Sequence, residues 1–163
     1  MHELWKQLGV VVLYTTHFLS IAVWVGTMLF NLIVNFPAIR ARARTPLAYV
    51  DAMSAQGRRA GPWLYLLVLL TLASGWGLSF IGAAGAQAAP FGPVALVKNG
   101  LLVLMLAVHA WASMRLWPAI HFGLESEWPR LFMRYQASIV LSSICGIAAI
   151  VLSFAARVFP AAL

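Results

Sequence analysis

The sequence predicts an all-α integral membrane protein, a four-transmembrane-helix bundle, on three observations. Of its 163 residues 63% are hydrophobic and only 9% charged, with a mean hydropathy of +0.88, far from the composition of a soluble domain. Four apolar runs, about 8–36, 61–82, 93–118 and 133–158, each reach the ~20 residues that cross a ~30 Å hydrocarbon layer. The arginines concentrate in two of the connections, as loop charge does in multi-pass proteins. One membrane domain over residues 1–163 is expected, with little outside it.

Taken in order, the first run begins after a short start whose only cation is Lys6, and no small-residue cleavage site separates it from the rest of the chain, so it is expected to remain as a helix. Arg40, Arg42, Arg44, Arg58 and Arg59 lie between the first and second runs, and Arg115, Arg130 and Arg134 around the connection of the third and fourth. Positive connections stay on the cytoplasmic side. Both termini and the uncharged loop 83–93 are therefore expected outside, an N-out/C-out topology in a bacterial-type inner (cytoplasmic) membrane. The net charge of +7 follows mostly from this bias, so the partner it implies is anionic lipid and not nucleic acid. Cys145, the only cysteine, falls inside the fourth run, which rules out an internal disulfide and a CxxC motif.

Two short matches suggest related helical hairpins. Phe36-Pro37-Ala38-Ile39 closes the first run and Trp117-Pro118-Ala119-Ile120 the third, 81 residues later; Leu78-Ser79-Phe80 and Leu152-Ser153-Phe154 recur in the second and fourth. Parallel repeats of this kind build many membrane folds, although short matches also arise by chance in an apolar chain.

Ionisable groups inside membrane helices are costly and therefore point to function. His17, Lys98 and His109 are the three here. Counting back from Pro37 and Pro118, His17 and Lys98 each stand 20 residues away, about 30 Å, near the outer face. Met28 and His109 each stand nine residues away, about 14 Å, near the midplane. The separation of 11 residues within each helix is three turns, so each helix carries one polar stripe: His17, Ser20, Trp24, Met28, Asn31, Asn35 on the first and Lys98, Leu102, Met105, His109, Ser113 on the third. The two stripes are expected to face each other. Ala73 with Gly77, Gly75 with Ser79 and Ser142 with Gly146 are expected to let the second and fourth helices pack closely.

Three readings of these residues are open. Imidazole is a good haem ligand, and a helical bundle is a known cofactor pocket. In that reading His17 is the axial ligand, Lys98 and Lys6 stand near the propionates or Lys98 serves as the opposite ligand, and Trp24, Met105 and Trp111 line the macrocycle. Because His17 and His109 differ in depth by roughly 16 Å, they do not share one iron. The second reading is copper, which suits imidazole and thioether ligands, along His17, Lys98, Met105, His109 and Met28. The third is structural: the histidines join helices of a non-catalytic subunit in a larger respiratory complex. Asp51, Glu125 and Glu127 lie in the connections, so no carboxylate is placed for a proton relay or a Ser-His-Asp triad.

The segment His17-Phe-Leu-Ser-Ile-Ala-Val-Trp24-Val-Gly26 resembles the H-x6-W-x-G pattern of CopD-type copper-resistance proteins and of the related HemJ-type protoporphyrinogen oxidases. The spacing of Lys98 and His109 resembles the HemJ group, and Arg115-Leu116-Trp117-Pro118 the R-L-x-P ending of the CopD group. The resemblance covers about a third of the chain. It implies a haem b-binding membrane protein in electron transfer or a haem-linked oxidation, a haem-dependent oxidoreductase with a redox partner, with His17 as ligand and Lys98 as an essential cation; the depth count adds His109 as a second, deeper polar site. Its CopD side implies copper transport or resistance. After Trp24 the arginine and the aromatic-histidine helix ending of the HemJ group are missing.

Overall fold

The computed structural model describes residues 2–81 and 93–158. Six α-helices follow one another: α1 (His2–Phe30), α2 (Phe36–Arg42), α3 (Pro46–Phe80), α4 (Pro93–Trp111), α5 (Trp117–Phe122) and α6 (Trp128–Val158). A π-helical turn at Asn31–Asn35 joins α1 to α2, another at Ala112–Leu116 joins α4 to α5, and a 3-10 turn at Glu125–Glu127 leads into α6. The result is four rods long and apolar enough to cross a membrane: Leu4–Arg42, Pro46–Phe80, Pro93–Phe122 and Glu125–Ala155. No strand occurs among the described residues. The loop expected at 83–93 lies, except for its last residue, outside them.

A proline stands just after each π turn. Pro37 and Pro118 lack an N–H, and each ring crowds the carbonyl four residues back, which disturbs the α ladder, although Pro62 inside α3 is accommodated without a π turn. At the two turns the ladder slips by one: Phe36 N–H bonds to Asn31 O and Trp117 N–H to Ala112 O, five residues back in both cases. The helices continue, with one residue absorbed in each. The two turns stand 81 residues apart.

The rods outrun the apolar segments. α3 begins at Pro46, not near 61, because Thr45 caps it by accepting from Ala48 N at 3.1 Å and Pro46 fits the first turn. Arg58 and Arg59, expected in a loop, therefore lie on a helix, and the true connection is only residues 43–45. Hydropathy marks the part of a helix that lipid can surround; capping decides where the helix ends.

α1 packs along α3 and along α6, and α4 packs along α6. Side-chain neighbours fix the antiparallel registers: Leu13 lies against Gly77, His17 against Gly75, and both Val25 and Met105 against Gly146. With no Cβ at these glycines the helices approach closely, as their spacing predicts. All eight arginines of the connections consequently lie at one end of the bundle. The central core joins all four rods through Trp24, Val25, Met28, Val68, Met105 and Cys145. Trp24 and Met105 are almost completely buried, at 0% and 1% exposed. The arginine-rich end is closed by Phe36, Tyr49 and Met53 and by Val50, Ile120 and Trp128. Outward faces stay apolar, with Val11, Phe18, Val23, Leu69, Val103, Ile144 and Val151 exposed, a surface that suits lipid contact and not water.

Candidate functional site

The stripe on α1 turns largely onto α3, not onto α4 as the sequence suggests. His17 is half-buried, and its Nδ1 lies 2.9 Å from the carbonyl oxygen of Thr71 and 3.3 Å from Ser74 Oγ. A carbonyl only accepts hydrogen bonds. The Nδ1 of His17 therefore carries the proton and donates it, leaving the Nε2 lone pair uncommitted by this contact. Ser74 Oγ donates to the carbonyl of Leu70, one turn back on α3, and so also acts as an acceptor toward the ring. Gly75 completes the seat: a Cβ there would come within 3.1 Å of His17 Cε1.

A backbone carbonyl fixing one imidazole nitrogen is the usual support of a metal-ligating histidine, since it sets the tautomer and the ring orientation. The supporting groups were not legible as such. Thr71 and Ser74 are both buried and share one face of α3. Their spacing of three was a usable signal, but small polar residues in an apolar helix read first as packing.

Lys98, also half-buried, lies within electrostatic range of the His17 ring. This agrees with a common outer layer for the two residues. His109 lies elsewhere. Its ring stands edge-on to Trp24, with centroids 6.1 Å apart, and to Tyr65, at 6.0 Å. α1 and α4 meet at this Trp24–His109 contact. Measured along α1, Trp24 is seven residues from His17, about 10 Å. Along α3, Tyr65 is six residues from Thr71 and nine from Ser74, about 9–14 Å. Both rulers keep the imidazoles in different layers. The indole N–H of Trp24 is buried with no acceptor among the described residues, leaving an unspent donor in the aromatic layer.

Met28 and Met105 lie in the central core, and Met105 packs its sulfur toward Gly146. Both thioethers therefore serve packing, the common use of methionine in a core. Among the described residues no three His, Cys, Asp or Glu side chains gather as a metal cage.

A further polar cluster was only partly legible in the sequence. Asn35 Nδ2 donates to Asn31 Oδ1 at 2.9 Å and to Gln56 Oε1 at 2.6 Å, and Gln56 Nε2 donates to Asn31 Oδ1 at 2.7 Å. The two asparagines bracket the first π turn, and Gln56, which no apolar periodicity marked, closes the ring from α3.

Compared with protein-family models, with curated proteins and with solved structures, the chain matches none.

Proposed function

We propose that this chain is a haem b-binding integral membrane protein acting in electron transfer or a haem-linked oxidation. The observation that carries the reading is the His17–Thr71 bond: it commits Nδ1 as donor and leaves the Nε2 lone pair as the atom that would hold a haem iron. Lys98 in the same layer supplies a cation for a propionate, and Gly75 makes room for the His17 ring itself. A haem held there would supply one-electron redox chemistry. The chain's own contribution is to fix the tautomer of His17, to hold Lys98 near it and to surround both with apolar helix.

The resemblance of the His17–Gly26 segment to CopD-type and HemJ-type proteins supports the same reading. The copper alternative has less support, because Met28 and Met105 are occupied in the core. We also infer an N-out/C-out orientation in a bacterial-type inner membrane, from eight arginines at one end against Lys6, Lys98 and Arg157 at the other. A relationship between the hairpins α1–α3 and α4–α6 is supported by the π turns at equivalent places and by Trp24 and Met105, 81 residues apart and both almost fully buried.

The visible spectrum of the purified protein tests the haem reading. A Soret band in the wild type, lost in His17→Ala and retained in His109→Ala, is the expected result. A colourless protein that binds Cu(I) stoichiometrically overturns it.

A further inference from the structure

We propose that the groove between α4 and α6 is a binding site for one anionic phospholipid, its phosphate held by Arg134 and Arg130. The groove encloses about 290 Å³ and is lined by Val108 and Trp111 of α4 and by Arg134, Ala137, Ser138 and Leu141 of α6. Its chemistry is graded along its length. Arg134 and Trp111 stand toward the arginine-rich end, while Leu141 lies about two turns deeper than Arg134, roughly 10 Å by helix rise, and Val108 just under one turn deeper than Trp111, roughly 5 Å. Ser138, buried at the wall, bonds to Tyr135 O at 2.7 Å, so it offers the groove little polarity. An apolar trench with an exposed arginine among its lining residues matches an acyl chain below an anionic headgroup.

Arg130 lies one helical turn from Arg134 on the same face of α6, and Arg115 follows Trp111 within the π turn that ends α4. All three are exposed. None forms an ion pair with a carboxylate among the described residues, so no described carboxylate pairs with the charge at the mouth. Arginine forks match phosphate oxygens in pairs. Basic pockets between transmembrane helices recognise anionic headgroups on this principle. Trp111, 46% exposed, presents an indole to the upper part of the chain, where aromatic residues sit well in membranes.

The test is native mass spectrometry of the full chain in detergent with equal phosphatidylglycerol and phosphatidylcholine. The wild type is expected to retain phosphatidylglycerol about tenfold or more over phosphatidylcholine. Arg130→Gln with Arg134→Gln is expected to abolish that preference, and Leu141→Trp, which fills the trench, to reduce bound lipid of both kinds. Arg58→Gln with Arg59→Gln, on α3 away from the groove, is expected to leave the preference unchanged. No preference in the wild type overturns the proposal. So does an equal loss in the α3 variant, which would mean a diffuse basic belt, or displacement of the lipid by millimolar inorganic phosphate, which would mean a free-anion site.

Discussion

The Nδ1 of His17 stands 2.9 Å from the backbone carbonyl of Thr71, and this one bond separates the roles of the two intramembrane histidines. His17 is held by the hydrogen bonds it donates to α3, whereas His109 is held edge-on to the rings of Trp24 and Tyr65. A ring fixed by a carbonyl presents a defined nitrogen to a ligand. A ring fixed by aromatic neighbours is placed without its tautomer being set.

Because the acceptor is main chain, substitution at Thr71 does not remove it, but crowding does. Gly75→Val is expected to push the His17 ring from its seat and lower haem affinity about 10–100-fold, the usual effect of disturbing a ligand's support. Ser74→Ala, which removes only the 3.3 Å contact, is expected to change affinity by no more than about threefold. Haem titration followed by the Soret band distinguishes the two, and equal effects would show that the seat is not set by Gly75.

Gly146 lies where Val25 of α1 and Met105 of α4 converge on α6. Gly146→Ala is expected to cost about 1–3 kcal/mol by overpacking, whereas Gly26→Ala and Gly100→Ala, with nothing within 4 Å of an added Cβ, carry no such clash. Reversible unfolding in mixed micelles reads the difference. A neutral Gly146→Ala would mean that α6 can shift away from α1 at little cost.

The amide ring of Asn31, Asn35 and Gln56 joins α3 to the first π turn. Gln56→Leu removes one donor and one acceptor from it and is expected to destabilise by about 0.6–2 kcal/mol, the range for polar contacts between membrane helices. The same unfolding measurement applies. Asn31→Ala in the Gln56→Leu background should then cost less than it does alone, since the partner is already gone.

Orientation is open to direct labelling. In a Cys145→Ser background, a cysteine placed at Gln7 is expected to react with a membrane-impermeant maleimide in intact cells, and one placed at Ser126 only after the membrane is broken. Labelling in the opposite pattern would invert the bundle. The positive-inside rule would then have been read from the wrong connections.

Much of the fold is legible in the residues because lipid imposes one demand at every position along a span. Apolar runs marked the four rods, and Gly77, Gly75 and Gly146 the close approaches, whereas Pro37 and Pro118, read as closing their helices, stand just after π turns through which the rods continue. The rod ends were not legible from hydropathy, since α3 starts at a capping threonine well before its apolar part. The site was legible on one side only. His17, Lys98 and His109 stand out as ionisable groups in lipid, but Thr71, Ser74, Tyr65 and Gln56 are ordinary residues of a second helix until that helix is rotated into place.

The sequence by itself determined the all-helical class, the four apolar spans and the separation in depth of His17 from His109, because these depend on residue counts along helices of fixed rise. Only the tertiary structure decided which helix each stripe faces. Rotation and pairing of rods in a bundle depend on how particular side chains interlock, such as Val25 and Met105 over Gly146. The same interlocking placed His17 against a carbonyl of α3 and left His109 to the aromatic rings.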